Sequence, residues 1–175
     1  MRAIRGFRDH PAVDDPDVGE PVPDVPRIPG SAGALIFDVA NRLLILKPTY
    51  KKRWTIPGGQ IEADGESPWE ACRRETREEC GLYLAGGRLV CVDYLRPKED
   101  RPGGVRFLFD CGTISDRQLS EIRLDPHEIA DHRFVAPADA GGLLSGPVGR
   151  RVAAALGAKE CLYLEDGRPV PGVSG

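Results

Sequence analysis

Short apolar runs separated by polar turns predict the strands of this chain. Residues 34–38 and 43–46 are apolar runs on either side of a four-residue turn, which predicts a β-hairpin. Residues 54–56 form a shorter strand-like run, and Pro57-Gly58-Gly59 directly after it predicts a turn. Further strands are predicted by the apolar runs at residues 89–95, 105–111, 133–135 and 161–164.

The clearest helix signal follows the glycine segment. Ser67 suits the N-cap, Pro68 suits the first helical position, and Gly81 stands just past a stretch of good helix formers. Two more helical segments are predicted at residues 137–144 and 148–156. Because strands and helices do not alternate as regular strand–helix–strand units, the predicted fold class is α+β with a mixed sheet.

The first 30 residues differ in composition from the rest of the chain. They contain six prolines, several acidic residues and few large apolar side chains, which predicts an extension outside the core. The extension is either loosely ordered or an arm that packs on a partner subunit. The predicted organisation is an N-terminal extension at residues 1–30, one folded domain at 31–165 and a C-terminal tail at 166–175.

Composition and charge exclude several classes of protein. Of 175 residues, 41% are hydrophobic and 29% are charged, a balance typical of a soluble globular domain. The apolar runs are far shorter than the roughly 18–20 residues that cross a bilayer, so no membrane partner is expected. A net charge of −3 disfavours duplex nucleic acid but leaves room for a small phosphate-bearing ligand. The chain has five cysteines, an odd number without a C-x-x-C spacing, which does not suggest a disulfide framework. Together with the absence of an apolar leader, this predicts a cytoplasmic protein.

Three glutamates stand on one face of the predicted helix that begins after Ser67. Glu75, Glu78 and Glu79 are spaced i, i+3, i+4, so they share an arc of about 100°. Like charges at this spacing repel by a few tenths of a kcal/mol per pair, and a bound divalent cation would offset that cost. Hard oxygen ligands suit Mg²⁺ or Mn²⁺. The alternative is a helix whose acids pair with its own arginines.

The segment at residues 58–82 resembles the Nudix box. That motif consists of a glycine, five residues, a glutamate, seven residues and then R-E-U-x-E-E-x-G-U, where U is a bulky apolar residue. Glu66 and residues 74–82 match it in spacing. Two positions depart from it: six residues instead of five separate Gly59 from Glu66, and Thr76 stands where an aliphatic residue is usual.

The resemblance extends over residues 31–157 and carries structural and functional expectations. It implies a Nudix fold, a mixed β-sheet sandwiched between α-helices, with the box as a loop-helix-loop motif. It also implies a hydrolase that depends on Mg²⁺ or Mn²⁺ and cleaves the diphosphate linkage of a nucleoside diphosphate joined to another moiety X. A homodimer is a further expectation from the family.

Motif position assigns expected roles to individual residues. The resemblance implies metal ligands at Gly58 (through its carbonyl), Glu75, Glu78 and Glu79, and catalytic roles for Glu78, Glu75 and Arg74. Arg74 is expected to orient an acid such as Glu66 through a bidentate pair.

Contacts to the substrate are expected from residues outside the box. Arg53 precedes the glycine segment and suits a terminal phosphate, and Arg96 begins a charged loop at residues 96–104 that suits a specificity lid. Glu128 lies before the predicted strand at 133–135 and is the candidate for a distant base or a fourth ligand. For Arg53 and Glu128, a solvated loop position is the alternative.

Two other functions stay open at this level. A Nudix-like module that binds a nucleotide without cleaving it is suggested by the longer loop and by Thr76. An isopentenyl diphosphate isomerase shares the fold but requires a cysteine near the site, for which Cys91 and Cys111 are the candidates.

Overall fold

The computed structural model describes residues 27–99, 102–144 and 146–173. Within these residues the chain forms eight strands and four helices. The strands are β1 (Gly30–Phe37), β2 (Leu43–Pro48), β3 (Gly58–Gln60), β4 (Arg88–Leu95), β5 (Gly104–Thr113), β6 (Ile129–Val135), β7 (Leu162–Glu165) and β8 (Arg168–Pro169). The helices are α1 (Pro68–Cys80), α2 (Asp116–Ser120), α3 (Pro137–Leu143) and α4 (Gly146–Ala155).

The described strands belong to one mixed sheet. Its order is β6-β2-β1-β5-β4-β7-β8, and β3 pairs with β1 outside this path. Strand β1 runs parallel to β5, and β4 runs parallel to β7. The other pairs are antiparallel. This mixed pairing confirms the α+β class predicted from the irregular order of the elements.

Both faces of the central strands are apolar, and each face packs on helices. Along β1, Ala34 and Ile36 face α1 and α2, and Leu35 faces α3 and α4. Strand β2 alternates in the same way, with Leu44 on the first side and Ile45 on the second. Because each fully buried Leu or Ile stabilises the fold by roughly 1.5–3 kcal/mol, both helical layers hold the sheet. The fold is therefore the expected sheet between helices.

Helix α1 begins and ends as its sequence predicts. The Ser67 hydroxyl accepts a hydrogen bond from the Glu70 N–H at 3.3 Å, and the Glu70 carboxylate accepts one from the Ser67 N–H at 2.9 Å. Pro68 occupies the first turn. At the other end Gly81 has a φ of 73° and donates its N–H to the Arg77 carbonyl. This left-handed conformation favours glycine and fixes the last turn of α1.

The glycine segment is a strand, so the turn predicted there was wrong. Gly58 pairs with Gly33 and Gly59 pairs with Ala32, both antiparallel. A Cβ at Gly58 would lie 2.2 Å from the Ala32 carbonyl oxygen, and the φ of 136° also favours glycine. The glycines thus allow the backbones of β1 and β3 to approach closely. In the sequence, glycines with this role look the same as glycines that form a turn.

Other elements agree with their predicted positions except at a few places. Residues 54 and 55 form isolated bridges to Leu144 and Leu46 instead of a full strand. The sequence did not predict α2, and β8 lies within the region assigned to the C-terminal tail. Of the predicted N-terminal extension, residues 1–26 lie outside the described residues, and Gly30 already belongs to β1. Over the described ranges, no helix is long and apolar enough to cross a membrane.

Candidate active site

A cleft of about 900 Å³ is lined by β1, β3, β5, α1 and α4. It brings together the predicted residues Gly58, Glu75, Glu79 and Glu128. Glu75 and Glu79 come from successive turns of α1, and Glu128 comes from the turn before β6. The cleft also has three basic lining residues, namely Lys51, Arg106 and Arg151. It is the place where the motif residues of α1 meet groups from distant parts of the chain.

Arg74 joins α1 to the loop that precedes it. Its Nε and Nη2 donate to the two carboxylate oxygens of Glu66 at 2.7 and 3.0 Å, so the expected bidentate pair is present. The same Nη2 donates to the Gln60 carbonyl at 2.9 Å. On the other side Nη1 donates to Glu75 and Glu78, each at 3.0 Å. One guanidinium thus fixes β3, the loop and two acids of α1 relative to each other.

The additional residue of the loop does not disturb this arrangement. Glu66 accepts a second hydrogen bond from the Glu62 N–H at 2.9 Å, which closes the loop at residues 62–65. Hydrogen bonding to Arg74 lowers the pKa of Glu66, so this carboxylate is ionised at neutral pH. Gly65 has a φ of 101°, and a Cβ there would meet no atom within 4 Å. The loop therefore bulges towards solvent while both of its ends stay fixed.

The glycines of β3 position the acids of α1. The Gly58 N–H donates to Glu79 Oε2 at 2.7 Å. A Cβ at Gly59 would lie 2.3 Å from Glu75 Cδ and 2.4 Å from Glu75 Oε1. The backbone of β3 thus packs directly against both carboxylates, and a side chain at position 59 would occupy the space of the Glu75 carboxylate.

Three acidic side chains, those of Glu75, Glu79 and Glu128, lie together in the cleft. Glu79 is only 6% exposed. Burial raises the pKa of Glu79 to about 8. The hydrogen bond from the Gly58 N–H lowers this pKa, whereas the nearby charges of Glu75 and Glu128 raise it further. Burial likewise raises the pKa of Glu75, against the opposing effect of Arg74. Raised pKa values of this kind indicate carboxylates that a cation would stabilise in the ionised form.

The donor chemistry of the cleft fits a divalent cation. The carboxylates supply hard oxygen ligands, which Mg²⁺ and Mn²⁺ prefer, and the absent side chain of Gly59 leaves room beside Glu75. In the arrangement described, no three His, Cys, Asp or Glu side chains of residues 27–99, 102–144 and 146–173 lie close enough together to hold an ion. The fit therefore rests on donor type and on the charge that the ion would neutralise.

Glu78 does not share the position of the other two acids of α1. Its side chain is 54% exposed, it pairs with Arg74, and it lines a separate surface depression with Arg73 and Arg77. The predicted arc of three glutamates is therefore divided. The Arg74 Nη1 that bonds Glu78 also bonds Glu75, so the Glu78 carboxylate lies beside Glu75 at the exposed margin of the cleft.

The two arginines expected at the substrate lie elsewhere. Arg53 is exposed, and the neighbouring Tyr50 and Lys51 line the cleft in its place. Arg96 forms an ion pair with Glu165 of β7 and lines a second, smaller cleft. Arg53 is an exposed loop residue that does not line the cleft, and Arg96 is held by an acid that is distant in sequence.

Two further charged residues of the cleft region were missed. Arg151 of α4 lines the cleft, and its Nε donates to Asp93 Oδ2 of β4 at 2.9 Å. Both side chains are buried. A signal for them existed, because each is a charged residue at an inward position of an apolar segment, and the two charges are opposite in sign.

The cysteines considered for isomerase chemistry do not line this cleft. Cys91 is fully buried on the α4 side of the sheet, where burial raises the pKa of its thiol to about 12. Cys111 packs against the core on the α1 side. Its pKa is raised by a hydrogen bond with the Cys72 thiol and by burial. Both thiols are therefore protonated at neutral pH and enclosed by core residues.

Comparison with known proteins gives a family and several related folds. A family model described as the NUDIX domain matches residues 27–155. A curated relative, the isopentenyl-diphosphate Delta-isomerase of Mycolicibacterium vanbaalenii, is 30% identical over 105 residues. The match covers 57% of this chain and 58% of that protein, so it spans less than two thirds of the relative's length.

Solved structures extend the likeness of fold. The MutT NUDIX hydrolase from Burkholderia pseudomallei superposes with a TM-score of 0.62 at 22% identity, over 77% of this chain and 99% of that chain. The NUDIX domain of Shewanella oneidensis NrtR, solved in complex with ADP ribose, gives a TM-score of 0.61 at 14% identity, over 75% and 88% of the two chains. At these identities, the structures establish a shared fold.

Proposed function

The chain belongs to the NUDIX domain family, and we propose that it hydrolyses the diphosphate linkage of a nucleoside diphosphate joined to another moiety. Family membership supports the pyrophosphohydrolase class, whereas the metal and the nucleoside diphosphate substrate are our proposal. The observation that carries it is the convergence of Glu75, Glu79 and Glu128 with the glycines of β3 at one cleft.

The cleft carboxylates are proposed to hold Mg²⁺ or Mn²⁺. Glu79 and Glu75 would be the principal ligands, with the Gly58 carbonyl and Glu128 beside them, and Glu78 at the margin. When bound, a divalent cation supplies neutralisation of the diphosphate charge and a more acidic water. The hydrogen bond from the Gly58 N–H keeps Glu79 in one orientation before any ligand arrives.

Arg74 and Glu75 are proposed to act as a positioned base. Arg74 bonds Glu75 at Oε1, so that among the described contacts Oε2 has no donor and is open to accept a proton from the attacking water. Arg74 itself stays protonated because its hydrogen bonds to Glu66 and the other acids raise its pKa.

A nucleotide-binding module without turnover is the second candidate. It is favoured by the exposure of Glu78, whose side chain is 54% exposed and does not line the cleft with Glu75 and Glu79. Such a module would bind the same nucleotides with or without metal and release them unchanged. The two functions therefore differ in whether product forms.

One comparison of variants tests the proposal. Wild-type protein, Glu79→Gln, Glu78→Gln and the exposed control Glu121→Gln are incubated with sugar nucleotides, ADP-ribose and dinucleoside polyphosphates, with and without Mg²⁺. We expect metal-dependent cleavage that falls at least about 100-fold in Glu79→Gln, less in Glu78→Gln and not at all in the control. Binding of these nucleotides without any product from folded wild-type protein would favour the binding module instead.

A further inference from the structure

The cleft contains a buried ion pair that the proposed hydrolysis does not use. The side chain of Arg151 is 8% exposed, and its partner Asp93 is fully buried. Asp93 Oδ2 accepts from Arg151 Nε, and Asp93 Oδ1 accepts from the Gly167 N–H, both at 2.9 Å. Because both oxygens of Asp93 are bonded, the pair ties α4 to β4 and to the β7–β8 turn. It also holds the Arg151 guanidinium in one orientation.

The far end of this guanidinium has no acceptor within the described parts of the chain. There, Arg151 donates through Nε, whereas Nη1 and Nη2 are not bonded. Neither of these two nitrogens is sealed from solvent, and Arg151 lines the cleft. A side chain that is more than nine-tenths buried therefore presents unused, permanently charged N–H donors to the cleft, where a ligand can satisfy them.

The order of the charges favours an oxyanion as the group that binds these donors. Asp93 lies on the Nε side of Arg151. An oxyanion bonded to Nη1 or Nη2 would lie closer to the guanidinium than to the Asp93 carboxylate, so by Coulomb's law the attraction exceeds the repulsion. The Gly167 N–H that bonds Asp93 weakens this repulsion further. Phosphate and carboxylate groups are the acceptors that suit the arginine fork.

The acids of α1 and the Arg151 guanidinium reach the cleft from different strands. Glu75 and Glu79 pack against β3, whereas Arg151 is fixed to β4 through Asp93. Strand β3 pairs with β1, β1 with β5, and β5 with β4. Three strand spacings therefore separate β3 from β4, which is roughly 14 Å. A diphosphate held at the α1 acids is too short to reach Arg151 as well, so the oxyanion belongs to another part of the ligand.

We infer that Arg151 binds a second oxyanion of the substrate, a phosphate or carboxylate group carried outside the diphosphate linkage. This inference rests on the proposed function for the place of the diphosphate at the α1 acids. It narrows the substrate class to nucleoside diphosphate derivatives with an additional phosphate or carboxylate, either on the nucleoside or on the moiety joined to it.

Matched substrates that differ by one oxyanion measure this selection directly. The ratio of kcat/KM is determined for UDP-glucuronate against UDP-glucose, for NADP⁺ against NAD⁺ and for coenzyme A against dephospho-coenzyme A, all with Mg²⁺. The first pair adds a carboxylate, and the other two add a phosphate at different places. We expect wild-type protein to favour the member with the added oxyanion in at least one pair by about 10- to 100-fold, the range for a charge-assisted hydrogen bond.

Two variants connect this preference to the free end of the guanidinium. Arg151→Lys keeps a positive charge beside Asp93, but its single ammonium is used on that carboxylate, so the ratio should fall to within about threefold of one. The loss should affect the member with the added oxyanion alone, whereas a purely structural role of the ion pair would lower both members alike. If Arg151→Lys does not fold, Asp93→Asn with Arg151→Met removes both buried charges together, and the preference should again be lost.

A neighbouring arginine provides the control. Arg150 precedes Arg151 on α4, but it donates to the Asp166 carbonyl and lines the second, smaller cleft. Arg150→Lys should therefore keep the wild-type ratio for every pair of substrates. An equal loss of preference in Arg150→Lys and in Arg151→Lys would contradict a specific role of Arg151.

Binding of ligands without a diphosphate separates failure of this inference from failure of the proposed hydrolysis. Calorimetry in Mg²⁺ compares adenosine 2′,5′-bisphosphate and adenosine 3′,5′-bisphosphate with AMP, and glucuronic acid 1-phosphate with glucose 1-phosphate. If no substrate is hydrolysed but a ligand with the added oxyanion binds at least about 10-fold tighter, and Arg151→Lys removes the difference, the inference stands and the hydrolase proposal falls. No preference in either turnover or binding, or a preference that Arg151→Lys leaves unchanged, would overturn the inference whether or not hydrolysis occurs.

Discussion

Replacing Gly59 by alanine tests whether the backbone of β3 positions the Glu75 carboxylate. The φ of Gly59 is not in the left-handed region, so alanine fits the backbone there without strain. Its Cβ would lie 2.3 Å from Glu75 Cδ and 2.4 to 2.5 Å from the two carboxylate oxygens. The substitution therefore changes one thing, the space available to that carboxylate.

The expected size of the effect follows from these distances. Ordinary van der Waals contact begins near 3.4 Å, so the Glu75 carboxylate must retreat by about 1 Å. Its hydrogen bond from Arg74 Nη1, now 3.0 Å, would be lengthened or bent in the same movement. A misplacement of about 1 Å at a reacting group can cost about 100-fold in rate, which corresponds to about 2.7 kcal/mol in the barrier.

Steady-state kinetics with the best substrate found for the wild type measures this loss as kcat/KM. Gly86→Ala is the matched control, because a Cβ there meets no atom within 4 Å and its φ is also ordinary. Far-ultraviolet circular dichroism and the unfolding midpoint establish that both variants are folded. If folded Gly59→Ala keeps kcat/KM within about threefold of wild type, Glu75 is not positioned by this contact, and the reasoning fails.

Three further predictions follow from buried or multiply bonded groups. Thr76→Val should raise the free energy of unfolding by about 1 kcal/mol in denaturant titration, because Thr76 Oγ1 is buried without a partner among the described atoms; an equal or lower value would contradict this. Asp38 is buried, which alone would raise its pKa, but its hydrogen bonds and ion pair with Arg42 lower the pKa below the usual 3.8. The unfolding free energy of wild type should therefore exceed that of Asp38→Asn by about 1 kcal/mol above pH 4. This difference should disappear as the pH falls through the lowered pKa of Asp38. A difference that does not change with pH would refute the stabilising role of the ionised Asp38. Arg74→Lys should reduce kcat/KM by at least about 10-fold, because lysine cannot keep the bidentate bond to Glu66, and wild-type turnover would count against that role.

The sequence predicted α1 well because its signals are local. The cap at Ser67, the proline after it and the glycine at its end act through neighbours within four residues, and the structure contains all three. The glycine segment before α1 was misassigned as a turn because its strand depends on β1, more than 20 residues earlier in the chain. A glycine that allows a close backbone approach and a glycine that makes a turn look the same in a sequence.

The positions of site residues could be predicted where a motif fixes their spacing along one helix. They could not be predicted where contacts between distant parts of the chain determine the position of the side chain. Helical spacing brings Glu75 and Glu79 to the cleft, whereas Glu78, predicted by the same rule, is more exposed and shares the Arg74 guanidinium with Glu75. Arg96 is held by Glu165, which is 69 residues away along the chain. Contacts of this kind follow from the order of strands in the sheet, which a single sequence does not specify.

The fixed ends of the loop at residues 62–65 make its length independent of the chemistry beside it. Glu66 closes the loop on the Glu62 N–H, and Arg74 anchors Glu66. Within the loop, Asp64 accepts a hydrogen bond from the Glu66 N–H at 3.1 Å, whereas Gly65 makes no such contact. Gly65 points into open space. A peptide tag or a small reporter domain inserted there should leave turnover intact, because lengthening a closed surface loop costs little free energy.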